Sequence, residues 1–230
     1  MFSEFYPPES LCTPRRKRVR ISGTNTQGTR RWFSRVKWRL APKVIRIISR
    51  AAWRLRVESP DGFPDPPFVI AANHLSFLDP PMIGAAFGNR VRFVTLADLF
   101  GKFRLLDFAL NTFETIKVKR GVIPLAAVRQ ALDHLADGGV VAVFPEGTRG
   151  WRFGDLPLAG GAAWLAARAK VPLVPMAIAG TDRVLGVDNR LRRGHITVTV
   201  GPPMYAEGSG RSAVDELTTK WAKWIAKSLT

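Results

Sequence analysis

A chain of 230 residues with 46% hydrophobic content, 7 Trp and 14 Phe can bury a full core, which excludes a disordered protein and points to one globular domain with at most an appendage. Its single cysteine, Cys12, excludes an internal disulfide and a Cys-rich metal site. The formal charge of +17 is concentrated at the front: fifteen Lys and Arg and no acid lie between Arg15 and Arg56, and subtracting fifteen from seventeen leaves the rest near +2.

Residues 1–29 are polar, Pro-containing and aperiodic, and read as a mobile basic tail. RRKRVR is followed by ISGTNTQGT rather than by ~7–15 apolar residues, so no secretory leader is expected. No run approaches the ~20 apolar residues that cross a bilayer, and a soluble or peripheral protein is expected. Over residues 30–58 two amphipathic helices are expected, parted or kinked at Pro42. Trp32, Phe33, Val36 and Leu40 form the first stripe. Val44, Ile45, Ile48, Ala51, Ala52 and Leu55 form the second, with Lys43, Arg46, Arg50 and Arg54 on another face. Ser59-Pro60-Asp61-Gly62 then breaks the chain, and a second unit is expected over 63–230.

Beyond Pro67, FVIAA (68–72), VRFVTL (91–96), TIKV (115–118), VVAVF (140–144), LVPMAI (173–178) and HITVTV (195–200) have the composition of strands. Helical segments are expected near 81–87, 98–110, 122–136, 160–169 and 212–228. The alternation predicts an α/β fold with a largely parallel central sheet flanked by helices. Ligand sites in such sheets lie at the carboxyl ends of the strands.

Two polar segments stand at those ends. In NHLSFLDPP, His74 leaves a strand, and Asp79 precedes Pro80 and Pro81 as a helix N-cap. If the intervening residues fold back, the Asp79 carboxylate can accept from one imidazole nitrogen and stabilise the imidazolium formed when the other takes a proton. His74 would then be a general base, worth ~10²–10⁴ in rate. The competing reading is a helix cap beside a satisfied turn histidine. In FPEGTRG (144–150), Glu146, Gly147, Thr148 and Arg149 offer a carboxylate, a flexible backbone, a hydroxyl and a guanidinium able to grip phosphate, or else an ordinary surface turn. TIKVKRG adds Lys117, Lys119 and Arg120 at a third strand end, suited to an anion or to a solvated edge. His134 and His195 have no ligand-like spacing and read as structural; no metal is implied.

With these blocks in order over residues 68–200, the chain resembles the glycerolipid acyltransferase superfamily, within it the 1-acyl-sn-glycerol-3-phosphate acyltransferases. Its NHxSxxDP-type block is similar to Asn73-His74-Leu75-Ser76-Phe77-Leu78-Asp79-Pro80, its PEGTRS-type block to Phe144–Gly150, and its VPIVPV-type block to Val171–Met176. The block between, usually ending in Arg, is best matched by Ile116–Arg120; Gly150 stands where the family usually has Ser. The resemblance implies acyl transfer from a thioester, acyl-CoA or acyl-carrier protein, to the hydroxyl of a lyso-lipid, with no other cofactor. It implies His74 as base, Asp79 as its orienting partner, and Arg120 with Glu146–Arg149 around a glycerol-phosphate head. Phosphatidic acid is the implied product, and another lysophospholipid or a glycolipid an alternative acceptor.

Both substrates live at a bilayer, and the basic segment suits docking to an anionic membrane surface, with Trp32, Trp38, Arg39, Arg46 and Trp53 at the interface. A peripheral location on the cytoplasmic face of the cell membrane follows. Two rivals remain at this stage. A polyanion-binding protein would use the same charge but leaves the strand-end blocks unexplained, so no specific nucleic acid is expected. A thioesterase or lipid hydrolase would use water, or Ser76 as nucleophile.

Overall fold

The computed structural model describes residues 26–88, 91–96, 115–118 and 125–230, with side chains from Leu40 onward except at 95, 96, 117 and 118. Among the described residues seven strands form a single sheet: β1 (Arg56–Glu58), β2 (Phe68–Ala72), β3 (Val91–Leu96), β4 (Ile116–Val118), β5 (Val140–Val143), β6 (Leu173–Ala179) and β7 (Thr197–Val200), in the spatial order β1-β7-β6-β2-β5-β3-β4. Every pairing is parallel except β6 with β7. The parallel sheet expected from alternating strands and helices is therefore present, with β7 turned back at one side.

β2 lies at the centre, and all five of its residues are buried, as a strand covered on both faces must be. Its alternate side chains part to opposite faces. Phe68, Ile70 and Ala72 enter one core with Met82 and Ile83, while Val69 and Ala71 enter the other with Leu135, Ala163 and Trp221. The first core is covered by α1 (Thr26–Trp53) and α2 (Asp79–Phe87). The second is covered by α3 (Leu125–Ala136), α4 (Gly161–Ala169) and α6 (Gly210–Ser228); a short α5 (Thr181–Val184) follows β6.

Two corrections to the sequence reading concern the basic segment. The helix runs through Pro42 as one element, where two were expected. A proline in a helix interior costs ~3 kcal/mol, but here Pro42 is buried and the turns after it pack on α2. Arg56–Glu58, expected as the helix's continuation, is strand β1, which pairs with β7 from Arg56↔Thr197 to Glu58↔Thr199. The helical stripe also divides. Ile45 and Trp53 pack against the first core, and Leu55 is buried in it. Leu40, Val44, Ile47 and Ile48 stand in solvent, Ile47 with 67% of its surface exposed. Among the described residues no helix is long and apolar enough to cross a membrane.

Candidate active site

β2 and β5 are neighbours in parallel register from Phe68↔Val140 to Ala71↔Val143, so their carboxyl ends open side by side. Asn73, the first residue past β2, is fully buried and clasps β6 through its carboxamide: Nδ2 donates to Ile178 O at 2.9 Å, and Oδ1 accepts from Ile178 N at 2.7 Å. This closed pair fixes where the chain leaves the sheet, and with it the starting point of His74.

The loop then turns back on Asp79. One oxygen, Oδ2, accepts from His74 Nδ1 at 2.9 Å, from Leu75 N at 2.7 Å and from Ser76 N at 2.7 Å. The carboxylate is fully buried, whereas His74 keeps 14% of its side chain exposed. Asp79 was expected to cap α2, and it does not: Leu78 is the capping position, and Asp79 is the first helical residue, facing backward. Pro81 lacks one of the two N–H groups a forward cap would use, and the other, Met82 N, donates to Leu78 O at 3.0 Å. The carboxylate holds the His74–Ser76 loop instead. Because it occupies Nδ1, the imidazole is left with Nε2 free to exchange a proton. The ring also stacks on Phe144, centroids 4.1 Å apart, which fixes its plane.

Phe144 begins the second segment. Gly147, at φ +66, turns the chain in the left-handed region that favours glycine, and its N–H donates to Phe144 O at 3.0 Å. The turn sends Glu146 back under the histidine, where its Oε2 accepts from His74 N at 2.5 Å. Gly150 N donates to His74 O at 3.1 Å, so both backbone groups of His74 are held by this one turn. Burial pushes the Glu146 carboxyl from 4.5 up to about 8, against the pull of the His74 N–H and reinforced by the Asp79 charge. Glu146 is thus mostly protonated at neutral pH. Arg149 lies over the ring of Phe77, 3.5 Å from its centroid, and donates from Nη1 to Asn189 Oδ1 at 3.3 Å. Burial lowers its pKa, and the Asp79 charge works the other way. Thr148 is half-buried beside it.

The sequence profile described as Acyltransferase matches residues 54–179, more than half of the chain, and takes in both strand-end segments but not Asn189. The chain belongs to the acyltransferase family. A chloroplastic 1-acyl-sn-glycerol-3-phosphate acyltransferase of Brassica napus is 29% identical over 171 residues, covering 72% of this chain and 47% of that protein. The chain therefore spans about half the length of that relative. The enzyme of the same name from Pseudomonas aeruginosa is 28% identical over 201 residues, with 83% and 74% covered. The crystal structure of the 1-acyl-sn-glycerophosphate acyltransferase from Thermotoga maritima shares the fold, with a TM-score of 0.63, 21% identity, and coverage of 88% of this chain and 83% of that one.

In this acyltransferase the two best-separated blocks of the sequence, His74–Asp79 and Glu146–Arg149, meet at adjoining strand ends. Of the third, Lys117 lies on edge strand β4 opposite Thr95, while Lys119 and Arg120 lie outside the described residues. Of the residues expected at a membrane interface, Trp32, Trp38 and Arg39 are helical, with side chains outside the described set; Arg46 is half-buried, and Trp53 faces the core. Sequence reasoning gave no role to Asn73, Phe77, Phe144 or Asn189. Ser76 has no room to be a nucleophile: it is fully buried, donates its hydroxyl to Leu185 O at 2.5 Å, and accepts from Leu78 N at 3.1 Å. A histidine with an anchored Nδ1, next to a neutral carboxyl and a stacked guanidinium, can deprotonate a hydroxyl on a molecule that also carries an anion.

Proposed function

We propose that this chain is a 1-acylglycerol-3-phosphate O-acyltransferase of phospholipid biosynthesis, moving an acyl chain from acyl-CoA or acyl-carrier protein to the sn-2 hydroxyl of lysophosphatidic acid to give phosphatidic acid. The observation that carries it is the His74–Asp79 pair at 2.9 Å sharing one strand-end opening with Arg149. His74 Nε2 takes the hydroxyl proton as the oxygen attacks the thioester carbonyl. The tetrahedral centre collapses with cleavage of the C–S bond, and His74 returns the proton to the departing thiolate. Asp79 holds the ring and balances its transient charge. Arg149 and the Gly147–Thr148 turn, with Lys117, Lys119 and Arg120, take the phosphate, and neutral Glu146 meets the glycerol backbone.

The reading takes residues 63–230, joined by strand β1, as the acyltransferase unit, the helix before β1 as the docking segment and 1–29 as a basic tail. The exposed Leu40, Val44, Ile47 and Ile48 would sink into the cytoplasmic face of an anionic membrane, with Arg39, Lys43, Arg46 and Arg50 at the headgroups and Trp32 and Trp38 near the boundary, whereas Trp53 stays on the core. What supports this is a wide apolar stripe left uncovered beside a run of cations without acids.

The test is thiol release from an acyl-CoA on anionic vesicles, with and without lysophosphatidic acid, for wild type and His74→Ala. Release that requires the acceptor and disappears in the variant is expected. Release that ignores the acceptor would assign the protein to hydrolysis instead.

A further inference from the structure

The loop from Leu185 to Leu191 lies outside every segment that suggested chemistry, yet it is bonded to both halves of the site. At its base, Leu185 O receives the Ser76 hydroxyl, from within the turn that separates His74 from Asp79. At its tip, Asn189 Oδ1 receives Arg149 Nη1. The loop is braced internally: Leu185 and Leu191 form an antiparallel bridge, Arg192 N donates to Val184 O at 2.7 Å, and Asn189 N donates to Gly186 O at 3.0 Å. Asn189 has φ 56, a left-handed conformation that Asn accepts more readily than most residues.

The electrostatics of the tip are selective. Arg149 is fixed on one side by the Phe77 ring and at its edge by a carboxamide, which orients a guanidinium without neutralising it. A carboxylate stands one residue away, at Asp188, and it is committed elsewhere. Asp188 Oδ1 accepts from Arg192 Nη1 at 3.1 Å and from Arg190 N at 3.2 Å, and Oδ2 pairs with Arg192 Nη2. These partners hold the Asp188 carboxyl down at about 2, so it stays charged and paired with Arg192. Arg149 therefore keeps its charge for a ligand.

We propose that Asn189 is a positioning residue for acceptor specificity: it holds Arg149 where the guanidinium meets the acceptor's phosphate. The inference rests on the phosphorylated-acceptor reading above and adds a residue from outside the matched family profile, which ends at residue 179.

Two variants test it in the full chain on vesicles, with lysophosphatidic acid and an acyl-CoA varied separately. Asn189→Gly keeps the left-handed backbone and removes the carboxamide; Asn189→Asp keeps its shape and adds a charge beside Arg149. The KM for lysophosphatidic acid is expected to rise about three- to tenfold in the glycine variant, the size of one ordinary hydrogen bond, and further in the aspartate variant. The acyl-CoA KM and kcat are expected to stay within about twofold. In an Arg149→Ala background the glycine substitution is expected to add nothing. An equal effect with and without Arg149, or an equal loss toward both substrates, would overturn the role of Asn189 while leaving acyl transfer intact. A wild-type enzyme that ignores lysophosphatidic acid would overturn the parent reading, and this one with it.

Discussion

Replacing Asp79 by Asn separates the two tasks of that carboxylate. All three of its hydrogen bonds fall on Oδ2, while Oδ1 is buried with no partner. An asparagine with its oxygen at the Oδ2 position keeps every acceptor contact and places NH2 where Oδ1 was. The flipped amide would point NH2 at three donors, so the first rotamer is the one expected. It costs the burial of an unsatisfied NH2, about 1–3 kcal/mol. For a domain of this size that corresponds to a melting point lower by about 2–12 °C. The imidazole stays anchored through Nδ1–H, so the proper nitrogen still faces the substrate. What is lost is the negative charge that stabilises the imidazolium, and kcat is expected to fall about 10²-fold, toward the lower part of the range for general-base catalysis. The assay is acceptor-dependent thiol release at saturating substrates, beside thermal unfolding of the same preparation. A folded variant with kcat within about threefold of wild type would refute the idea that Asp79 acts through His74.

Three further variants probe other parts of the account. Glu146 has its pKa raised to about 8, so the native state holds an extra proton between about pH 4.5 and pH 8, and stability declines as pH rises through that window. Glu146→Gln, neutral at every pH and still an acceptor for His74 N, should therefore gain stability relative to wild type between pH 5 and pH 8.5 in urea titrations; parallel pH profiles would contradict the buried-carboxyl assignment. Ser76→Ala removes a donor to Leu185 O and an acceptor for Leu78 N; it should cost about 1–3 kcal/mol in chemical denaturation while activity survives within about tenfold. Loss of activity equal to that of His74→Ala would indicate a serine mechanism. Ile47→Asp with Ile48→Asp, both on the exposed stripe, should cut sedimentation with anionic vesicles at least about tenfold and leave the melting temperature unchanged, since each apolar side chain contributes about 1.5–3 kcal/mol only when inserted. Undiminished vesicle binding would show that the stripe is not the docking face.

The elements most legible in the sequence are those whose pattern follows from local physics. FVIAA is apolar at every position because both faces of β2 are covered, and the 125–136 and 210–228 helices have clear stripes toward the second core. β1 was hidden because three residues continuing a basic helical period offer no period of their own, and its pairing partner lies far along the chain. The reversed direction of β7 has no signature in HITVTV either; it depends on the short α5 and the loop that follows. At the site, His74, Asp79, Glu146 and Arg149 could be named because chemistry-bearing side chains at strand ends are few. Asn73 and Asn189 could not. Their contacts, with Ile178 and Arg149 respectively, are ones that only folding brings about. Phe144 read as the end of a strand rather than the plate under an imidazole.

The pairing of β1 with β7 also sets an order of events. Arg56 meets Thr197 across more than half the chain, Arg56 N donates to Ile196 O, and Ile196 N donates to Trp53 O at the end of α1. During synthesis the basic helix emerges before the strands described here, but its seat at the edge of the sheet exists only after β6 has turned back into β7. Closing so long a loop is slow compared with forming local helices. A nascent chain thus presents its cationic, apolar helix for most of its translation with no sheet edge to receive it. The end of that helix is fixed only when β7 pairs with β1 and Ile196 N reaches Trp53 O, so the helix takes its final seat late in folding.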